Sequence, residues 1–191
     1  MKNTNTKKMV GLALFTAIVV VLQLLGGFIR FGTLSISLVL VPIVVGAAVY
    51  GPAAGAWLGF VFGLVVLLGG DAAAFLVISP LGTIITVIAK GVLCGLCAGF
   101  VFKALEKVNI YVAVGVSAVI CPIVNTGVFL LGCLAFFIDT IAGWAEAAGF
   151  GASVGTYMIV GLVGLNFIVE LLFNVVLSPV ILRIIKIGKK S

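Results

Sequence analysis

The chain is 191 residues long, 64% hydrophobic and 8% charged, with no histidine, and its mean hydropathy is +1.47. A soluble domain carries roughly a quarter charged residues, so this composition excludes one. About six apolar spans of twenty-odd residues use up the length, leaving no room for a soluble catalytic or nucleotide-binding domain. The net charge of +6 could suggest nucleic acid, but it is gathered at span ends, which argues against such a partner. Without histidine, imidazole-based catalysis, proton relays and most transition-metal sites fall away, and no metal or cofactor is expected.

The apolar runs predict an all-α integral membrane protein in a lipid bilayer, with six transmembrane helices over 9–29, 36–50, 52–70, 79–102, 110–137 and 155–186, all in one membrane domain, 1–191. Met1 to Leu25 has the basic start of a signal peptide. Its apolar run is long and no small-residue cleavage site closes it, so it reads as a retained first helix. Spans 2 and 3 are divided only by Gly51-Pro52, a pair that breaks a helix sharply. The polar segment Phe31–Leu38 ahead of the short span 2 reads as a loop or partly re-entrant piece at the outer surface. The outer loop from Asp139 to Gly155 carries Trp144, either as an interface anchor or as part of a lid.

Nine of the eleven Lys and Arg residues fall in three places: Lys2, Lys7 and Lys8; Lys103 and Lys107; and Arg183, Lys186, Lys189 and Lys190. The positive-inside rule then puts both termini in the cytoplasm. Arg30, Asp71, Asp139 and Glu146 go to the outer side.

Lys90 and Glu170 are the charges inside the apolar runs. Hydrocarbon penalises an ionised side chain by a few kcal/mol even on lenient scales, so such residues are read as functional by default. Asn166, Glu170 and Asn174 follow one another at i, i+4, i+8 on one face of span 6. At 1.5 Å per residue, Asn166 lies about 16 Å and Glu170 about 22 Å from the outer end of that span, and Lys90 about 16 Å down span 4. Asn125 and Thr126, just past Pro122 on span 5, fall at a similar depth. This convergence suits a ligand site. The structural alternative is a buried Lys90–Glu170 ion pair with the amides as interhelical glue, and for Asn174 and Thr126 taken singly that alternative is preferred.

Small residues recur at helical spacing. Gly91, Gly95 and Gly99 on span 4, and Gly59 and Gly63 on span 3, read as close helix packing within the chain. Ala13 and Ala17 on span 1 could instead present a small-residue face to another protein. Cys94-Gly-Leu-Cys97 has the C-x-x-C spacing but no partner pair or turn, and reads as small apolar filling. No activated nucleophile, nucleotide-binding loop or channel filter is visible. The best residue-level class is a small-molecule binding membrane subunit. A membrane-embedded enzyme using Lys90 and Glu170 is its rival.

The stretch from Ile36 to Gly63, with Pro42-Ile-Val-Val-Gly46-Ala47, Gly51-Pro52, Gly55-Ala56 and Gly59-Phe-Val-Phe-Gly63, resembles the substrate-binding S components of energy-coupling-factor (ECF) vitamin transporters. The resemblance extends over essentially the whole chain. It implies that Ala13-Leu-Phe-Thr-Ala17 is the Ala-x-x-x-Ala motif that docks on a membrane T component. It also implies that Lys90, Asn125, Asn166 and Glu170 bind substrate, in an outward site built from spans 4 to 6 and capped by outer loops. The implied cycle is an ABC importer's: the S component captures a vitamin outside a bacterial plasma membrane. It then topples on the T component, driven by two cytoplasmic ATPases. The 36–63 segment looks closest to pantothenate-type members, with Lys90 as counter-charge for the carboxylate, although Glu170 would penalise an anion that Lys90 did not neutralise. Cobalamin or another micronutrient is the alternative. Pocket helices poor in aromatics argue against the stacked clamp that thiamin or a flavin would need.

Overall fold

The computed structural model describes residues 2–26, 30–31, 34–35 and 38–188. Helix α1 (Lys2–Gly26) is followed by a minimal antiparallel ribbon, β1 (Arg30–Phe31) pairing with β2 (Leu34–Ser35). The rest of the predicted outer segment 31–38, apart from Leu38, lies outside the described residues. Then come α2 (Leu40–Tyr50), α3 (Pro52–Leu68), the short α4 (Ala73–Leu76), α5 (Pro80–Leu105), α6 (Ile110–Phe136) and α7 (Ile138–Ala147). The chain ends through α8 (Val154–Thr156), a π-helical turn (Tyr157–Leu162), α9 (Gly164–Val176) and α10 (Ser178–Gly188).

Helix boundaries follow local chemistry. Gly51 takes φ 99°, a left-handed value that glycine adopts freely, and Pro52 opens α3 with its ring already at helical φ. The Ser79 hydroxyl accepts from Gly82 N, and Pro80 starts α5. Asn109 Oδ1 accepts from the first turn of α6, at 2.8 Å from Tyr111 N.

Among the described residues three helices are long and apolar enough to cross a membrane: Thr6–Gly26, Pro80–Leu105 and Ile110–Phe136. Val154–Leu162 with Gly164–Val176 makes a fourth if a 45° bend is allowed. Helix α3 follows the expected span 3 to within two residues, whereas the expected span 2 takes a different form. Helix α2 has 11 residues, about 16 Å of rise against roughly 30 Å of hydrocarbon. Its residues from Pro42 to Ala48 are all buried, so it is an interior piece rather than a lipid-facing rod.

The predicted continuous span 155–186 is also interrupted. Val163 N bonds Met158 O at 3.2 Å, an i→i+5 closure. A Cβ on Gly164 would stand 2.8 Å from Ile159 O, so the widened turn relies on glycine there. Pro179, which has no N–H to donate, marks the second break, between α9 and α10.

The α3–α5 interface carries the closest packing in the molecule. A Cβ on Gly59 would run into the Gly91 carbonyl, and one on Gly95 into that of Gly55. The two helix backbones therefore touch, as the glycine spacing predicts, and Gly99 packs likewise on Pro52. The larger apolar core includes Val19, Ile43, Leu58, Phe62 and Phe102, with Ile181 and Ile185 from α10. A second core joins Phe75, Phe129, Phe137, Ile141 and Leu162. The latter is the roof of the cavity described next.

Candidate functional site

Helix α9 is built inside out by soluble standards. Its buried residues are Asn166, Glu170 and Asn174, while Leu165, Ile168, Leu172 and Val176 are more than half exposed. An apolar outer face suits lipid, and the polar stripe must then find partners inside the protein. The bend ahead of α9 directs this stripe toward α6. Asn125 Nδ2 donates to Glu170 Oε2 at 3.5 Å, and Asn174 Nδ2 to the Glu170 carbonyl at 2.9 Å.

A cavity of about 710 Å³, counted to its open mouth, lies against this stripe. Lys90, Asn125, Asn166 and Glu170 all line it. The structure thus brings together on one wall, from α5, α6 and α9, the four residues that the sequence singles out. Thr126 lines it too; Asn174 does not, and bonds back into its own helix. Lys90 is half-buried, with Nζ 5.4 Å from the Phe62 ring centre and 5.3 Å from that of Phe129. Ring faces attract a cation that has lost part of its water. Across α5, Thr86 is pressed against Gly132 of α6, where any Cβ would meet its side chain.

Several lining residues were not anticipated. Asp71, assigned to the outer surface, faces the cavity and accepts from Gln23 Nε2 at 2.8 Å. Gln23 is the single glutamine of the chain and lies inside an apolar run, so the rule that found Lys90 could have flagged it. Thr83 and Thr86 add hydroxyl-bearing side chains from α5. The wall also holds Phe75, Phe129, Phe137 and Phe167, which corrects the expectation of a pocket poor in aromatics. Phe75 meets Phe129, Phe137 and Trp144 edge-on, at 5.5, 5.1 and 5.5 Å between ring centres. These rings come from three helices and the α6–α7 junction, and nothing in a linear sequence marks an isolated phenylalanine as a pocket residue.

Trp144 sits on α7, a helix in place of the predicted loop. Its Ile141 and Ala145 are fully buried, and through Phe75 it covers the aromatic side of the cavity. Among the described residues no cluster of His, Cys, Asp or Glu could hold a metal ion. Cys94 donates to the Gly91 carbonyl at 3.1 Å, a packing contact within α5.

On the opposite side of α1, Ala13 and Ala17 are exposed, on a stripe with Val10, Leu14 and Val21. The inner side of the same helix is occupied: Gly11 lies against the Tyr50 hydroxyl, and Trp57 Nε1 donates to Thr16 Oγ1 at 3.1 Å.

The family model of the ECF transporter substrate-specific component matches residues 7–182. No curated protein matches the chain.

Proposed function

The chain belongs to the family of ECF transporter substrate-specific components, and from that premise we propose that its cavity captures a small water-soluble vitamin or related micronutrient. As a family member it is a substrate-binding membrane subunit of a transporter, not an enzyme, and works with a T component and ATPases. The observation that carries the finer reading is the convergence of Lys90, Asn125, Asn166 and Glu170 on one cavity. A hydrophobic wall with a few convergent polar groups is the usual make-up of a small-molecule site.

In this reading Lys90 holds an anionic group of the substrate. Glu170, oriented by Asn125, and Asn166 take its hydroxyl or N–H groups. Capture occurs from outside, and Ala13 and Ala17 then dock on the T component. Two ATPases drive the toppling that turns the site inward. The topology is six membrane-embedded segments with both termini in the cytoplasm. Pantothenate is the first ligand to test, on the likeness of residues 36–63 and on Lys90 as its counter-charge.

The test is a thermal-shift screen of the detergent-purified chain against pantothenate, the other B vitamins and related micronutrients. A ligand at a thousandfold excess over its Kd stabilises by about 4 kcal/mol, so one compound should stand clear of the panel. A flat response across the whole panel would remove the vitamin reading and leave the family membership in place.

A further inference from the structure

The cavity wall carries an excess of unsatisfied acceptors. Among the described residues six buried side-chain oxygens have no hydrogen-bond partner, and four of them, Gln23 Oε1, Thr86 Oγ1, Asn125 Oδ1 and Asn166 Oδ1, belong to cavity-lining residues, Ser117 Oγ and Asn174 Oδ1 being the other two. All four residues line the cavity and are at least 94% buried. They come from four helices, α1, α5, α6 and α9. Buried polar groups are nearly always paired in folded proteins, so orphans gathered on one wall call for a ligand that supplies the missing donors.

The amide orientations follow from simple chemistry. A carboxylate accepts only, so Asn125 turns its N–H₂ to Glu170 and Gln23 turns its own to Asp71. Each amide is left with its carbonyl oxygen as the free end. The wall therefore repeats one unit, a carboxylate clasped by an amide, at two places. One unit belongs to the stripe already described. The other, Gln23 with Asp71, joins α1 to the turn before α4 and is used by nothing described so far.

We propose that Gln23, with the Asp71 carboxylate it clasps, forms a second binding pole of the cavity, accepting hydrogen bonds from hydroxyl or N–H groups of the substrate. Helix α1 then contributes to the substrate site through one face while Ala13 and Ala17 occupy the other. The substrate class is a molecule with an acidic group for Lys90 and at least two hydroxyl or N–H donors; a bare carboxylate leaves the second pole empty. This inference rests on the reading of the cavity as the substrate site.

Two measurements on the full chain test it. The first compares the Kd of pantothenate, or of the panel compound with the largest thermal shift, for the native chain and for Gln23→Met, which keeps the side-chain length. Loss of a hydrogen bond in a charged setting should weaken binding about tenfold or more. A substrate analogue lacking one hydroxyl should bind the native chain more weakly but lose little further affinity in Gln23→Met, a coupling that a merely structural role would not produce. An unchanged Kd overturns the second pole and leaves the site reading standing.

The second measurement needs no ligand. In a Cys97→Ala background, Gln23→Cys is treated with methanethiosulfonate reagents bearing either an aminoethyl or a sulfonatoethyl group. With Asp71 adjacent, the cationic, donor-bearing reagent should react about tenfold faster, and Asp71→Asn should erase the difference. Equal rates, faster sulfonate labelling or no labelling would overturn the proposal. If the native chain binds nothing in the panel, the vitamin reading fails and the labelling decides the second pole by itself.

Discussion

At Lys90 the cost of a cation in a membrane protein is met by the rings of Phe62 and Phe129 and by the acidic groups of the same cavity wall. The ring contacts explain why the residue can fold there without ligand, and the cavity places it where the proposed substrate would sit. Lys90→Ala should shrink the ligand-induced thermal shift, with affinity down roughly 10- to 100-fold for a lost charged hydrogen bond, while the ligand-free chain stays folded. Strong loss of folding with no change in ligand response would instead favour a purely structural ion pair. Asn174→Ala makes the contrast. Its side chain bonds the Glu170 carbonyl and does not line the cavity. It should cost about 1 kcal/mol of stability, the net value of an ordinary hydrogen bond, and leave Kd unchanged in the same assay. The charges were legible in the sequence because hydrocarbon makes any charge conspicuous. The aromatic wall was not, because Phe75, Phe129, Phe137 and Phe167 are ordinary among fourteen phenylalanines until the fold brings them together.

At the level of elements, the helix contact that positions Lys90 is made by glycines. Gly91 directly follows Lys90 and lies against Gly59 with backbone touching backbone, so the lysine's height and direction are set by the α3–α5 approach. Gly91→Val has no soft neighbour to displace, since the colliding atom is a main-chain carbonyl. It should destabilise by about 1–3 kcal/mol, as overpacking does, and weaken ligand binding at the same time; thermal melting with and without ligand reads both. The spacing of these glycines made the interface legible. The bend at Val163 was not, because Gly155, Gly161 and Gly164 are each tolerated in a regular helix and only tertiary packing selects the widened turn. Pro179 carries a stop signal that the single predicted span 155–186 passed over. Helix α1 gives a separate prediction. Ala13→Trp and Ala17→Trp enlarge an exposed face away from the cavity, so both variants should bind ligand normally and fail in reconstituted transport with the partner subunits. Normal transport by both would remove the docking role from this face.

For the whole molecule, the distribution of charge ties orientation to function. Lys186 of α10 donates to the Tyr111 hydroxyl at 3.3 Å and lies 4.8 Å from the ring centre. Tyr111 lies in the first turn of α6, just after Lys103 in the last turn of α5 and Lys107 in the loop between them, so the basic end of α10 and these two lysines occupy one side of the protein. Positive charge clustered in this way is retained in the cytoplasm. The acidic Asp139 lies at the start of α7, beside the aromatic roof of the cavity. On the proposed orientation a cavity roofed by α7 faces the outside, the side from which the proposed importer collects its substrate. Single cysteines placed at Lys107, Lys186, Asp139 and Glu146, in a chain whose native cysteines are replaced by alanine, test this in intact cells. A membrane-impermeant maleimide should label Asp139→Cys and Glu146→Cys at once, and Lys107→Cys and Lys186→Cys only after the membrane is opened. The reverse pattern would turn the cavity mouth to the cytoplasm. Capture from outside would then be physically excluded, however tightly the purified chain bound its vitamin.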